Sequence, residues 1–271
     1  MPVLDTAAGP VWRRRTGPQA LARWGAWLLG LAVFLWAWAR ISEATTWFFV
    51  WDAPAIAGDI LGRATPPRWS YIDSLWRPLW DTINIATLGT IAALILAVPV
   101  AFLAARNTTP SALVLRPIAL LIIVATRSIN SLIWALLLIA IIGPGILAGI
   151  VAIAIRSIGF CAKLLYEAIE EIDRGQVEAV TATGASRWQV MAYGIVPQIA
   201  PAFAGIAVFR WDINIRESTV LGLVGAGGIG LQLQASMNTL AWPQVSLILL
   251  VILAAVVVSE WVSAKVRGAI I

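Results

Sequence analysis

Apolar runs of about twenty residues, enough for a helix to cross a bilayer, alternate with short polar segments along most of the chain. The pattern predicts six membrane spans, over residues 24–47, 82–105, 117–142, 147–165, 190–209 and 240–263. The first has tryptophan pairs at both ends, Trp24 with Trp27 and Trp47 with Trp51, as two membrane interfaces favour. Its apolar stretch is longer than the core of a signal peptide, so it reads as an anchor with Arg40 near its outer end. The second holds no charge and includes Pro99, an expected kink. The third includes Arg127 and Asn130, and the piece before it is expected to run along the membrane surface. A Gly143-Pro144-Gly145 turn joins it to the fourth, which carries Arg156 mid-span, with Gly145 and Gly149 forming a small-residue pair one turn apart.

Between the fourth and fifth spans lies a polar stretch, residues 167–197, reading EAIEEIDRGQVEAVTATGASRWQVMAYGIVP. The final 42 or so residues before the last charges hold an ambiguity of their own, roughly two spans' worth of sequence by length. No charge occurs from Ser218 to Ser259, but residues 221–230 contain five glycines, so this piece is expected to be broken or re-entrant rather than an added span. Gly225, Gly227 and Gly230 match a dinucleotide-binding spacing, yet their flanks are apolar and no carboxylate follows before Glu260. A tight turn or hinge near a helix end fits better.

Composition agrees with a chain in lipid: 60% hydrophobic, 12% charged, 15 Trp and a mean hydropathy of +0.87. Its net charge of +5 sits mostly in short segments between apolar runs and does not point to nucleic acid. One inner set holds Arg13, Arg14, Arg15, Arg23, Arg106, Arg116, Lys163, Arg174, Arg187, Lys265 and Arg267. Residues 48–81 hold only Arg63, Arg68 and Arg77 beside Asp52, Asp59, Asp73 and Asp81. The asymmetry predicts six spans with both termini in the cytoplasm, and residues 166–189 on that side. Cys161 is the single cysteine and histidine is absent, which excludes an internal disulfide, Cys/His metal sites and Ser/His or Cys/His catalysis. Residues 48–81, with Trp69, Tyr71, Trp76 and Trp80, read as an interfacial segment, either a docking surface or a plain connector.

The polar stretch carries the chemistry. Glu178-Ala179-Val180, three residues, Gly184, and then Val196-Pro197 resemble the EAA motif of membrane subunits of ABC importers. Val180 replaces the usual Ala, and Gly194 stands where an aliphatic residue is usual. A short helix through Glu178, ended by Gly184 and followed by Ala185–Val190 re-entering the membrane with Trp188 at the interface, makes a compact polar knob. Such a knob can seat in a partner and carry its motion as a rigid body.

The resemblance implies an all-α polytopic membrane protein with about six transmembrane helices and a methionine-permease-like ABC importer fold. It covers roughly residues 75–267 and suggests a division into 1–75 (tail, first span and outer connector) and 76–271 (permease domain, coupling helices about 170–190). Residues 210–230, RWDINIRESTVLGLVGAGGIG, and 153–173, IAIRSIGFCAKLLYEAIEEID, are similar to phosphonate permeases. By that resemblance the chain is a non-catalytic inner-membrane subunit for phosphonate, with another small solute, such as phosphite, another small oxyanion or methionine, as the alternative. The chain has no Walker A loop, so ATP and Mg would be bound by a partner. Implied partners are a second copy of the chain, two ATP-binding subunits, an extracytoplasmic phosphonate-binding protein and membrane lipid. Implied coupling residues are Glu178, Ala179, Gly184, Ala185, Arg187 and Pro197. A secondary transporter or channel is the rival class, and it would need no coupling knob.

A guanidinium mid-span costs about 2.5–3.5 kcal/mol to insert and is seldom left facing lipid. Arg127, Arg156, Arg210, Arg216 and Glu217 are therefore candidates for the translocation pathway, where an Arg fork suits phosphonate oxygens. The alternative has Arg210 paired with Asp212, or Arg216 with Glu217, as structural ion pairs.

Overall fold

A computed structural model describes residues 3–6, 9–12 and 17–270. Arg13, Arg14 and Arg15 of the inner cationic set lie outside the described residues. The chain divides into two units, Met1–Gly62 and Arg63–Ile271. The first begins with two antiparallel strands, β1 (Val3–Thr6) and β2 (Gly9–Trp12), and the remaining described elements are helices joined by turns. α1 (Gly17–Ala44) has no buried residue, and Leu28, Phe34, Leu35 and Trp36 are all exposed. Its 28 residues reach about 42 Å, and an exposed apolar surface on every side is what lipid solvates. Trp38 lies between Phe34 and Trp47, 6.4 and 6.3 Å from their ring centroids. α2 (Trp47–Ala64) follows at once, with Pro54 inside it.

In the second unit, α3 (Ile72–Ala104) and α6 (Ile146–Glu170) form the central pair. α3 buries a stripe of small residues, Ala86, Gly89, Ala93, Ala97, Ala101 and Ala104, at spacings of three and four, so the face repeats each turn. On α6 the buried small residues include Ala148, Gly149, Ala152, Ser157 and Ala162. A Cβ on Gly89 would stand 2.7 Å from Ile153 Cγ2. In lipid, helices gain their association from such close packing rather than from expelling water.

α4 (Leu115–Ser128) and α5 (Ser131–Ile142) are bent 89° at their junction. The third span is thus two half-helices. α4 packs beside the Ala97–Ala104 part of α3, with Ile123 buried among Ala101, Cys161 and Leu165. α5 packs at the other end of the pair, near Ile85, Ala152 and Ile153. A Cβ on Gly159 would overlap Thr126 and lie 2.6 Å from the Ile123 carbonyl, so α4 meets α6 at backbone distance.

α7 (Arg174–Ala182) and α8 (Arg187–Gln189) precede a π-turn, Val190–Ile195, that runs into α9 (Val196–Gly222). α9 does not end at Phe209 as the sequence pattern suggested but continues for about three and a half more turns, through the charged residues. The glycine-rich stretch after it is a buried turn, and α10 (Ile229–Asn238) folds back from it. Added Cβ atoms on Gly222 and Gly230 would strike each other's backbone, at 2.7 and 2.9 Å, so two small residues let the helix end and helix start touch. Thr82 Oγ1 accepts the Ile229 N–H at 2.8 Å, tying the turn to α3. α11 (Trp242–Ile270) completes the bundle. Among the described residues five helices are long and apolar enough to cross a membrane, and six spans result when the bent pair counts as one.

Candidate functional site

Two polar constructions interrupt the apolar bundle. The first is the knob between α6 and α9. Asp173 caps α7 by accepting the Gly175 N–H at 2.8 Å, satisfying a donor that the helix start leaves free. Val177 and Val180 are half-buried, whereas Glu178 and Ala179 point outward and are exposed. The helix closes at Thr183, and Gly184 follows with φ +80° and its N–H on the Thr181 carbonyl at 3.0 Å. A side chain there would be strained. Ala185 is half-buried, while Arg187, Trp188 and Pro197 are exposed.

Gln198 holds the knob shut. Its Oε1 accepts the Asp173 N–H at 2.9 Å, and its Nε2 donates to the carbonyls of Gly194 at 2.6 Å and Asp173 at 3.3 Å. The start of α7 and the π-turn are thereby joined through one side chain. A Cβ on Gly194 would lie 3.5 Å from Val177 Cα, ordinary contact, so α7 seats on that turn without requiring glycine at 194. Beside the knob, Glu170 accepts the Arg106 N–H at 2.8 Å and pairs with Arg116 at 3.9 Å, while Asn107 donates to the Ile169 carbonyl at 2.6 Å. A cleft of about 380 Å³ opens between this corner and α7, lined by Arg106, Asn107, Arg174 and Glu178.

The second construction lies within the spans. Arg210, 2% exposed, donates through Nε to Ser157 Oγ at 2.8 Å and through Nη2 to Glu217 at 3.4 Å, with its guanidinium 5.1 Å from the Phe160 ring centroid. Arg156 Nε reaches the same carboxylate at 3.7 Å. Asn214, fully buried, donates to Thr90 at 2.8 Å and to Ser157 at 3.2 Å, linking α9 to α3 and α6. A separate chain of contacts joins Arg216 to Asp212 and, at 3.4 Å, to Glu260 of α11; Ser259 donates to Asp212 at 2.7 Å.

The charge partners differ from those expected. Residues one or two apart on a helix point in different directions, so Arg210 cannot use Asp212 and Arg216 cannot use Glu217. The pairs are Arg210 with Glu217, two turns on, and Arg216 with Asp212, one turn back. Arg156, Arg210 and Glu217 come together, and Arg216 lines the same cavity as Arg156 and Glu217. Arg127 stands apart: it is exposed at the end of α4 and makes no ion pair among the described residues. Gln198, Ser157, Asn214 and Thr90 escaped the sequence reading. Only their being polar inside or beside apolar runs could have singled them out.

Five or six candidate spans, of which those after Gly62 pack as a helical bundle with a capped polar knob and paired interior charges, are the build of a multi-pass membrane transport subunit. The chain belongs to the family described as binding-protein-dependent transport system inner membrane component, whose model matches residues 97–266. It is therefore a multi-pass inner-membrane protein and an ABC importer permease subunit. It is 38% identical over 94% of its length, and 90% of the relative, to the phosphite transport system permease protein PtxC of Stutzerimonas stutzeri. It is 39% identical over 77% of its length to the phosphate-import permease protein PhnE of Mycolicibacterium smegmatis, of which it covers 39%. It is 35% identical over 43% of its length, and 95% of the relative, to the cryptic phosphonate permease protein PhnE2 of Escherichia coli, itself described as putative. In fold it is similar to a chain of the inward-facing MetNI methionine ABC transporter, with a TM-score of 0.65 and 21% identity over 75% of this chain and 99% of that one.

Proposed function

We propose that this permease carries a small tetrahedral phosphorus oxyanion, phosphonate or phosphite, inward across the cytoplasmic membrane, driven by ATP that a separate subunit hydrolyses. The names of the relatives support the substrate class: phosphite, phosphate and phosphonate share the tetrahedral anionic head. Phosphite is favoured as a second reading by the relative that aligns along 94% of this chain.

The observation that carries the ATP coupling is the knob. α7 is capped by Asp173, closed by Gly184 and clasped by Gln198 to the base of α9. A push on Glu178 and its neighbours is thus delivered to the helix holding Arg210 and Glu217 rather than absorbed in a loop. Glu178, Ala179, Gly184, Ala185, Arg187 and Pro197 act as the coupling set, and the ATPase seats over them. The inside-positive distribution supports both termini in the cytoplasm, with α7 on the ATP side. Two copies of the chain enclose the pathway, fed by a soluble binding protein outside. The ATP and Mg belong to the partner.

Proteoliposomes containing the permease, its ATPase and its binding protein test this with labelled methylphosphonate and labelled phosphite. Uptake of one or both that requires ATP is expected. Uptake without ATP, as a secondary transporter would give, contradicts it.

A further inference from the structure

The break between α4 and α5 leaves a groove of about 320 Å³, open on one side. Asn130 and Ser131 at the start of α5, Arg156 of α6, and Arg216 and Glu217 of α9 line it. α5 has 12 residues, so its start lies about 18 Å from the Gly143–Gly145 turn. Arg156, ten residues beyond the start of α6, lies about 15 Å from the same turn. The half-helix start and the arginine thus meet at one level along the bundle, well away from the Gly143–Gly145 end.

The charges at this place balance in sum but not group by group. Arg156 and Arg210 share one carboxylate, Glu217, whereas Arg216 already has two, Asp212 and Glu260. Mid-membrane charges are compensated, so the Arg156–Arg210–Glu217 group has room for one more anion and the Arg216 group does not. Its two cations are unequal. Arg210 has a side chain 3% exposed and is held by Ser157, Phe160 and Glu217. Arg156 has a side chain 30% exposed and opens on the cavity. Breaking Arg156 from Glu217 leaves that carboxylate still paired with Arg210.

Resting on the phosphorus-oxyanion reading above, we propose that this cavity is the transit site for the cargo, that Arg156 is the residue contacting it, and that Glu217 is a resident counter-anion which the cargo displaces. The anion's oxygens take the guanidinium edge that Glu217 releases, while the amino end of α5, capped by Asn130 at 3.0 Å from the Leu132 N–H, favours negative charge from the other side. Arg210 is a positioning residue that receives Glu217 back. The exchange keeps the site weak, because the cargo gains only what Glu217 gives up, and an anion that must pass through is not retained.

The assembled complex, in detergent and without binding protein, tests the site with methylphosphonate and with inorganic phosphate. Glu217→Gln removes the competitor and keeps its shape, so anion affinity should rise about tenfold while turnover in proteoliposomes falls, as expected when a buried cation loses its paired carboxylate. Arg156→Gln should abolish the binding and cut kcat for uptake, with Arg156→Lys restoring part of both. In a Cys161→Ser background, Asn130→Cys should be labelled by a small thiol reagent and protected by methylphosphonate, a readout on the otherwise native cavity. Unchanged affinity in Glu217→Gln, wild-type uptake in Arg156→Gln, or labelling at 130 that no oxyanion alters would each overturn the site while leaving the importer assignment standing. Protection at 130 in a complex that imports no phosphorus oxyanion would uphold the site and refute the transported substrate instead.

Discussion

Ser157 shows how much a small hydroxyl can hold in lipid. It accepts from Arg210 at 2.8 Å and from Asn214 at 3.2 Å, and is itself fully buried. Replacing it with Ala leaves two buried donors short of an acceptor, at a cost of about 1–3 kcal/mol. Thermal unfolding of purified Ser157→Ala in detergent should show a clearly lowered melting temperature, whereas an unchanged one would mean the network is dispensable. Charged residues of this network stood out in the sequence because Arg and Glu break a hydropathy profile. Their partners did not, because Ser, Thr and Asn pass almost unnoticed in an apolar run, and because an Arg210–Glu217 pairing seven residues apart is settled only once α9 is known to be unbroken. The apolar run ends at Phe209, yet α9 continues because the charges that follow neutralise one another against the bundle.

At the scale of elements, backbone proximity sets what can change. Gly89→Leu would drive a side chain into Ile153, an overpacking worth about 1–3 kcal/mol, and should lower yield of folded permease measured by size-exclusion profile. The knob is a different matter, since Gly184 has open space around a positive φ. Gly184→Val should therefore strain the turn by about 1–2 kcal/mol and reduce ATP-driven uptake far more than it reduces melting temperature. Gln198→Leu should act in the same direction by unfastening α7, with basal ATPase activity of the complex no longer stimulated by loaded binding protein. Retained stimulation in Gln198→Leu would mean that the clasp transmits nothing. The knob's position was legible from Glu178, Gly184 and Pro197 because a polar island between apolar runs has few places to go. Its clasp was not, because nothing in the linear order says that Gln198 returns to Asp173. The bend of 89° between α4 and α5 was only hinted at by Asn130, a helix-capping residue in mid-span.

For the whole molecule, the spans followed from apolar length alone, and the exposed surface of α1 agrees with a helix solvated by lipid. What apolar length does not supply is direction. Coupling to ATP requires that α7 face the compartment containing it. A Cys161→Ser protein with Glu178→Cys as its single thiol, labelled in sealed inside-out and right-side-out vesicles by a reagent that cannot cross the bilayer, tests this most directly. Labelling is expected in inside-out vesicles, and its loss when the ATPase subunit is bound. Labelling in right-side-out vesicles would contradict it.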